Sequence, residues 1–247
     1  MAESIAALKA RMLVNALNPS YPLDVVWLAS KILGKPVIID QRDFPSNICA
    51  MIVDRPDFTQ AHIGVNRNRT RASQRFGIVH ELAHPYLEHR GNISFIEDEE
   101  DPVFHAEADD FATEMLAPKY RIFSLADRYR EPLTLVRQIM RHHDVSLQMA
   151  CRRVIELGIY QGAFLCFSES QVFFAYNSQG FSIDIDQVKS LPRLEKGCLI
   201  SRQELVCGTS VTSYLQRFKS GNFLAAWIED NPVTLYKNLV DKWLGTR

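Results

Sequence analysis

His80 and His84, with Glu81 between them in the run His80-Glu81-Leu82-Ala83-His84, are the residues best suited to chemistry in this chain. A helix advances about 100° per residue, so imidazoles four positions apart rise from one face, roughly 6 Å apart along the axis. Two such rings can grip one metal ion, and the pattern suits zinc. Glu81 projects to the side, where a carboxylate can act as base on a water.

Zinc is held tetrahedrally, and a catalytic site keeps one corner for water, so one further protein ligand is required. A metzincin would place a histidine six residues after His84 and a glycine three after it. Arg90 and Leu87 stand there instead, and His89 is one residue out of register. The other common solution is a glutamate on a second helix, and Glu107 lies twenty-three residues after His84 near the start of one. The expected metal set is therefore His80, His84 and Glu107, with Glu81 as the catalytic group. Asp109 or Asp110 could accept a hydrogen bond from the second ring nitrogen of a ligand histidine. A net positive site of this kind lowers the pKa of a bound water towards ~7, so that Glu81 serves first as base and then as acid in peptide hydrolysis. Tyr86, His89, His105 and Tyr120 are candidate oxyanion donors, each more simply explained as a structural group.

These residues need a scaffold. Met1 to Leu17 reads as an amphipathic helix and Leu23 to Leu33 as a second, ended by Gly34. Pro36 to Ile39, Cys49 to Val53 and Ala61 to Val65 are short β-rich runs that predict a small antiparallel or mixed sheet. Ser73 can cap the metal helix, which runs to about His89 with Phe76, Val79, Ala83 and Leu87 as its buried stripe. Pro85 removes a backbone donor and predicts a kink or early end there. After an acidic loop at 97–101, Ala108, Phe111, Ala112, Met115 and Leu116 mark a helix stopped before Pro118. Leu133 to His143 and Ser146 to Leu157 form a helical hairpin closed by Gly158. Beyond it, Phe164 to Phe167 and Val172 to Tyr176 read as paired strands, Phe181 to Ile185 alternates, and Val233 to Leu244 reads as a closing helix. The expected architecture is α+β: a zincin-like domain over 1–158 and a small β-rich module over 159–247.

A chain of 247 residues with 47% hydrophobic and 23% charged content can bury a real core. Its formal net charge of -1 gives no bulk attraction to nucleic acid or an anionic membrane. Five widely spaced cysteines without a CxxC pair argue against a disulfide scaffold or thiolate cluster. The N-terminal run is interrupted by Glu3, Lys9 and Arg11, unlike a signal peptide, and no stretch reaches the ~20 apolar residues of a membrane span. These readings place the protein in the cytoplasm.

Three stretches together resemble the ImmA/IrrE family of metallopeptidases: Ile63-Gly64-Val65-Asn66, the helix Gln74 to His84 containing Arg75-Phe76 and His80-Glu81-Leu82-Ala83-His84, and Glu107-Ala108-Asp109-Asp110-Phe111-Ala112 through Leu116-Ala117-Pro118. Val145-Ser146, Arg153 and Leu157-Gly158 fit the same family's helical tail, so the likeness covers residues 20 to 158. It implies a zinc endopeptidase that cleaves a helix-turn-helix transcriptional repressor and thereby releases stress-response or mobile-element genes. Asp109 stands where the family has Asn, and Pro85 follows His84 where an apolar residue is usual.

Other readings compete at several places. Arg67, Arg69, Arg71 and Arg75 could attract phosphate, but a solvated turn or internal ion pairs explain them more simply. The hairpin carrying Arg137, Arg141, Arg152 and Arg153 has a helix-turn-helix look, although packing is the simpler role and direct nucleic-acid binding is not expected. Ala61 to Asn66 is a core strand or, if it is an exposed edge, a strand on which an extended substrate could pair. The leading rival function is a DNA-binding or protein-interaction regulator that retains a zinc-site scaffold with little catalysis.

Overall fold

The computed structural model describes residues 4–55, 57–89, 102–168, 171–181, 199–206, 209–218 and 222–229, with backbone alone at 199–206, 209–211, 227 and 229. The acidic loop at 97–101, the alternating run past Phe181 and the expected closing helix at 233–244 lie outside the described residues. The fold is mixed α+β, with seven helices and two small sheets among the described residues. It divides into two units, Met1–Ser124 with Gln138–Met149 and Leu125–Arg137 with Ala150–Arg247. Among the described residues no helix is long and apolar enough to cross a membrane.

The first unit opens with α1 (Ile5–Leu17), capped by the Ser4 hydroxyl and buried through Ala6, Ala10 and Val14, one residue per turn. Next comes α2 (Val25–Leu33), whose N-cap Asp24 accepts from the amides of Val26 and Trp27 and whose end is turned by Gly34 at φ 65°. Strands β1 (Val37–Arg42), β2 (Ala50–Val53) and β3 (Ala61–Asn66) form a mixed sheet in the order β1-β3-β2, parallel on the β1 side and antiparallel on the β2 side. The substrate-edge alternative for Ala61 to Asn66 is thereby overturned: β3 is the central strand, paired on both sides, and its backbone has no open edge to offer.

Helix α3 (Arg71–Leu87) follows β3 and is capped by Thr70, three residues before the expected Ser73; the Thr70 hydroxyl accepts from the Ser73 amide. Its buried face is Arg75, Ile78, Val79, Leu82 and Ala83, so Phe76 and Leu87 belong to its partly exposed flank instead. Gly77 lets this helix lie on β2, since a Cβ there would come within 2.9 Å of the Cys49 Cβ and 3.1 Å of the Ala50 Cβ. Against it packs α4 (Pro102–Leu116), which begins on a proline, where a missing N–H costs nothing, and buries Ala108, Phe111, Ala112, Met115 and Leu116. Helix α4 is tied to α1 by an ion pair between Arg11 and the buried Glu114 at 3.2 Å.

Helix α5 (Lys119–Arg128) was not expected from the sequence, where the segment after Pro118 has only Ile122 and Leu125 as a short apolar repeat. The hairpin helices are α6 (Pro132–His143) and α7 (Leu147–Glu156), joined by a turn in which Asp144 takes the left-handed conformation at φ 53° in place of glycine. In the second unit, β4 (Gly162–Phe167), β5 (Val172–Asn177), β6 (Leu199–Val206), β7 (Thr209–Arg217) and β8 (Phe223–Glu229) make an antiparallel sheet in the order β5-β4-β8-β7-β6. Its core gathers Ala163, Leu165, Phe181, Leu215, Phe223 and Ala225.

Candidate metal centre

Two helix faces meet to build the centre. On α3, His80 and His84 stand one turn apart with ring centroids 5.2 Å from each other. On α4, His105 and Asp109 also stand one turn apart, and both reach the His80 ring. The Asp109 carboxylate is 2.8 Å from His80 Nδ1, while His105 Nδ1 is 3.1 Å from His80 Nε2. One side of α4 thus grips His80 at both nitrogens, and its side-chain exposure is only 14%.

The C-terminal end of α3 supplies the remaining part. The amide of His89 donates to the His84 carbonyl at 3.0 Å and that of Glu88 to the Pro85 carbonyl at 3.4 Å, with Glu88 left-handed at φ 62°. These are the two bonds of a Schellman motif. The helix therefore passes through Pro85 and ends at Leu87, two residues beyond the place where the sequence predicts a kink or early end. The turn swings His89 back on the helix, where it is buried, with Nδ1 3.0 Å from His84 Nδ1. Phe104 stacks on its ring at a centroid distance of 4.4 Å, and the Glu107 carboxylate lies 3.0 Å from His89 Nε2. Phe104 and Glu107, three apart on α4, hold His89 between them.

Of the residues expected from the sequence, His80 and His84 lie close together on α3, and Glu81 lies partly exposed between them on the same helix. Asp109, not Asp110, holds a histidine ring. Glu107 reaches the centre through His89, and the ligand atoms that converge belong to His80, His84 and His105, all within 4.8 Å of one another. Residue spacing contained a usable signal for His105: it is four residues before Asp109, so the two share a face of α4. Of the other oxyanion candidates, Tyr86 rests on Phe111 at 5.1 Å between ring centroids, and the Tyr120 hydroxyl accepts from Arg121 at the surface.

The donor set fits a divalent cation of zinc's kind. Nitrogen ligands lie ~2.0–2.1 Å from zinc, so two corners of one tetrahedron are roughly 3.3 Å apart. The 3.1 Å between His80 Nε2 and His105 Nδ1 approaches that spacing, and the three ligand atoms lie within 4.8 Å of one another. Both α3 imidazoles have Nδ1 engaged by a partner, the arrangement that fixes the tautomer of a metal-binding histidine.

The arginines at 67, 69 and 71 are occupied as ion pairs or backbone donors: Arg67 with Asp43 at 3.2 Å, Arg69 with the Ser46 carbonyl, Arg71 with Asp144 at 2.8 Å. On α7, Arg152 pairs with Glu156 and Arg153 is buried.

No curated protein matches the chain. A solved structure described as a Mycobacterium tuberculosis transcriptional regulator matches it with a TM-score of 0.60 at 16% identity, over 94% of this chain and 89% of that one, a likeness of fold. The sequence model of a peptidase family, described as the IrrE N-terminal-like domain, matches residues 42–154. That span holds α3, α4 and all the residues of the centre, and over it the chain is similar to the IrrE N-terminal-like domain.

Proposed function

We propose that the chain is a metal-dependent endopeptidase, using zinc, that cuts a regulatory protein, the expected target being a helix-turn-helix repressor. The observation that carries this reading is the meeting of α3 and α4 histidines beside Glu81, with a carboxylate behind His80. His80 and His84 would hold the cation together with a third group from α4, for which the resemblance offers Glu107 and the geometry His105. When bound, the cation supplies Lewis-acid chemistry, polarising the scissile carbonyl and acidifying a water.

The chain's own residues do the rest. Asp109 accepts from His80 Nδ1, so the ring presents the lone pair of Nε2. Glu81 takes a proton from the attacking water and returns it to the amine nitrogen as the peptide C–N bond breaks. The carboxylate finishes the cycle in its starting state. Helices on a common core keep these groups aligned, which a loop-borne site would do less well.

Incubating the purified protein with a repressor encoded beside it, against Glu81→Gln, tests the reading. Cleavage by wild type and none by the variant, with equal metal content, is expected. Cleavage by both removes Glu81 from the chemistry. A second reading, a regulator that keeps the metal scaffold without cutting, is favoured by the name of the matched solved structure. Equal operator-DNA binding by both proteins without cleavage would establish it.

A further inference from the structure

The second unit carries a strand edge that the proposed reaction does not use. Strand β5 has β4 on one side, and among the described residues no strand lies on the other. The ladder to β4 fixes which main-chain groups of β5 point outward. At one end of it the Ser178 amide donates to the Gly162 carbonyl at 2.8 Å. Hydrogen-bonded pairs alternate along an antiparallel ladder, so counting inward by twos makes Phe164 with Tyr176, and Cys166 with Phe174, the bonded pairs. Ala175 and Asn177 therefore turn their N–H and C=O groups away from β4.

Edge strands are commonly blunted by lysine, proline or a charge on the edge, because an open row of donors and acceptors is a template for another strand. The run Val172–Asn177 reads Val-Phe-Phe-Ala-Tyr-Asn, with no charged residue and no proline. A register shift between Cys166 and Phe167 falls at the start of β5 and leaves Phe174 to Asn177 in regular pairing. Val172, Phe173 and Ala175 are exposed, the two larger side chains at 41% and 46%. The main chain of an extended strand matches such a row, and the side chains select which strand. With no charge along it, β5 offers nothing to a strand of charged residues.

We propose that two copies of the chain associate edge to edge through β5, running antiparallel about a two-fold axis at Ala175 and joining their sheets into one. The strand is self-complementary in that register. The two Ala175 residues exchange both main-chain bonds, and Phe174 of each copy stands opposite Tyr176 of the other in a non-hydrogen-bonded pair, where side chains approach most closely. Within one copy Phe174 and Tyr176 already lie with ring centroids 5.5 Å apart, so the pairing builds a row of aromatic rings across the seam. A strand pair this short buries less than the ~1,200–2,000 Å² of a standard interface, so the dimer is weak and concentration-dependent. The inference is independent of the peptidase reading.

Sedimentation equilibrium of the full chain, from about 1 µM to about 1 mM, tests it over the range of weak association. Wild type should pass from monomer to dimer and stop there. Ala175→Pro removes an outward N–H while keeping the ladder to β4, and Phe173→Lys puts a charge on the edge at an exposed position. Each should weaken the dimer by about tenfold or more, one backbone bond or one edge charge being lost twice across the two-fold axis. A second measurement needs no variant, so it decides even if Ala175→Pro fails to fold. Amide exchange of Ala175 and Asn177 in wild type should slow as concentration rises, while that of Phe174 and Tyr176, already bonded to β4, should not change. A chain that stays monomeric throughout overturns the proposal. So does one that grows past the dimer, as head-to-tail pairing of β5 with β6 would, or a dimer in which Ala175 exchanges as fast as in the monomer.

Discussion

Arg75 shows how a single side chain can hold the metal helix in place. Its Nη2 donates to the Leu23 carbonyl at 2.8 Å, and its Nε donates to the Asp144 carbonyl at 3.2 Å and faces the Asp144 carboxylate at 3.3 Å. Burial pulls its pKa below the usual arginine value, and Asp144 pushes it back up. Breaking a buried pair costs about 3–5 kcal/mol when the partner is stranded, but Asp144 keeps Arg71. Arg75→Ala should therefore cost about 2–3 kcal/mol in urea unfolding, mostly from the two backbone carbonyls left in the interior. Arg71→Ala, at a side chain 79% exposed, should cost less than about 1 kcal/mol; equal losses would refute this division. Asn66 is a parallel case, its amide donating to the carbonyls of Phe44, Pro45 and Ile48 while its oxygen accepts from Asn68. Asn66→Asp keeps the shape but turns donors into a charge facing three carbonyls, so it should destabilise by at least about 3 kcal/mol by the same assay. Both residues belong to the motifs that drew attention in the sequence, and neither touches the centre. Their task is to fix the loop before α3 and the packing of α3 itself.

At the scale of elements, Gly77 and Glu88 mark where α3 is set against its surroundings. Gly77→Ala forces a methyl into space bounded by Cys49, Ala50 and backbone, with little freedom to yield. A loss of about 1–3 kcal/mol in thermal unfolding is expected, against the gain that alanine brings to an unobstructed helix. Glu88→Gly acts oppositely: the residue is exposed and left-handed, a conformation costing non-glycine residues about 1 kcal/mol. It should raise stability by that amount, and a fall would mean Glu88 contributes contacts that outweigh its backbone. The same elements show why some of the fold was legible in sequence and some not. Helices α1, α2, α3 and α4 were readable from the spacing of their apolar residues, with Gly34 marking the end of α2, whereas the cap of α3 is Thr70 and not Ser73. Helix α5 was not, because only Ile122 and Leu125 mark its inner side. The central place of β3 was hidden too, since strand order follows from pairings that a run of alternating residues does not encode. At the centre, the two α3 histidines were legible from local spacing. The role of His89 depends on the Schellman turn that brings it back onto α3, and His105 on which side of α4 meets α3.

Over the whole molecule, the division into two units decides how far the effect of a bound cation should travel. Every residue of the centre belongs to the first unit, whereas the five-stranded sheet has its own core of Leu165, Phe181, Leu215 and Phe223 in the second. A ligand that binds only folded protein stabilises by RT ln(1 + [L]/Kd), about 2.7 kcal/mol at a hundredfold excess over Kd. That free energy acts on the openings that separate α3 from α4, because those are the openings that dismantle the donor set. Zinc added to the full chain should therefore slow amide exchange in peptides spanning residues 75–87 and 104–116 by up to about a hundredfold, while peptides of β4 and β5 keep their rates. Chelator should reverse the effect. Equal slowing in both units would mean that the chain opens only as one cooperative body, and the local account of the centre's stability would have to be given up.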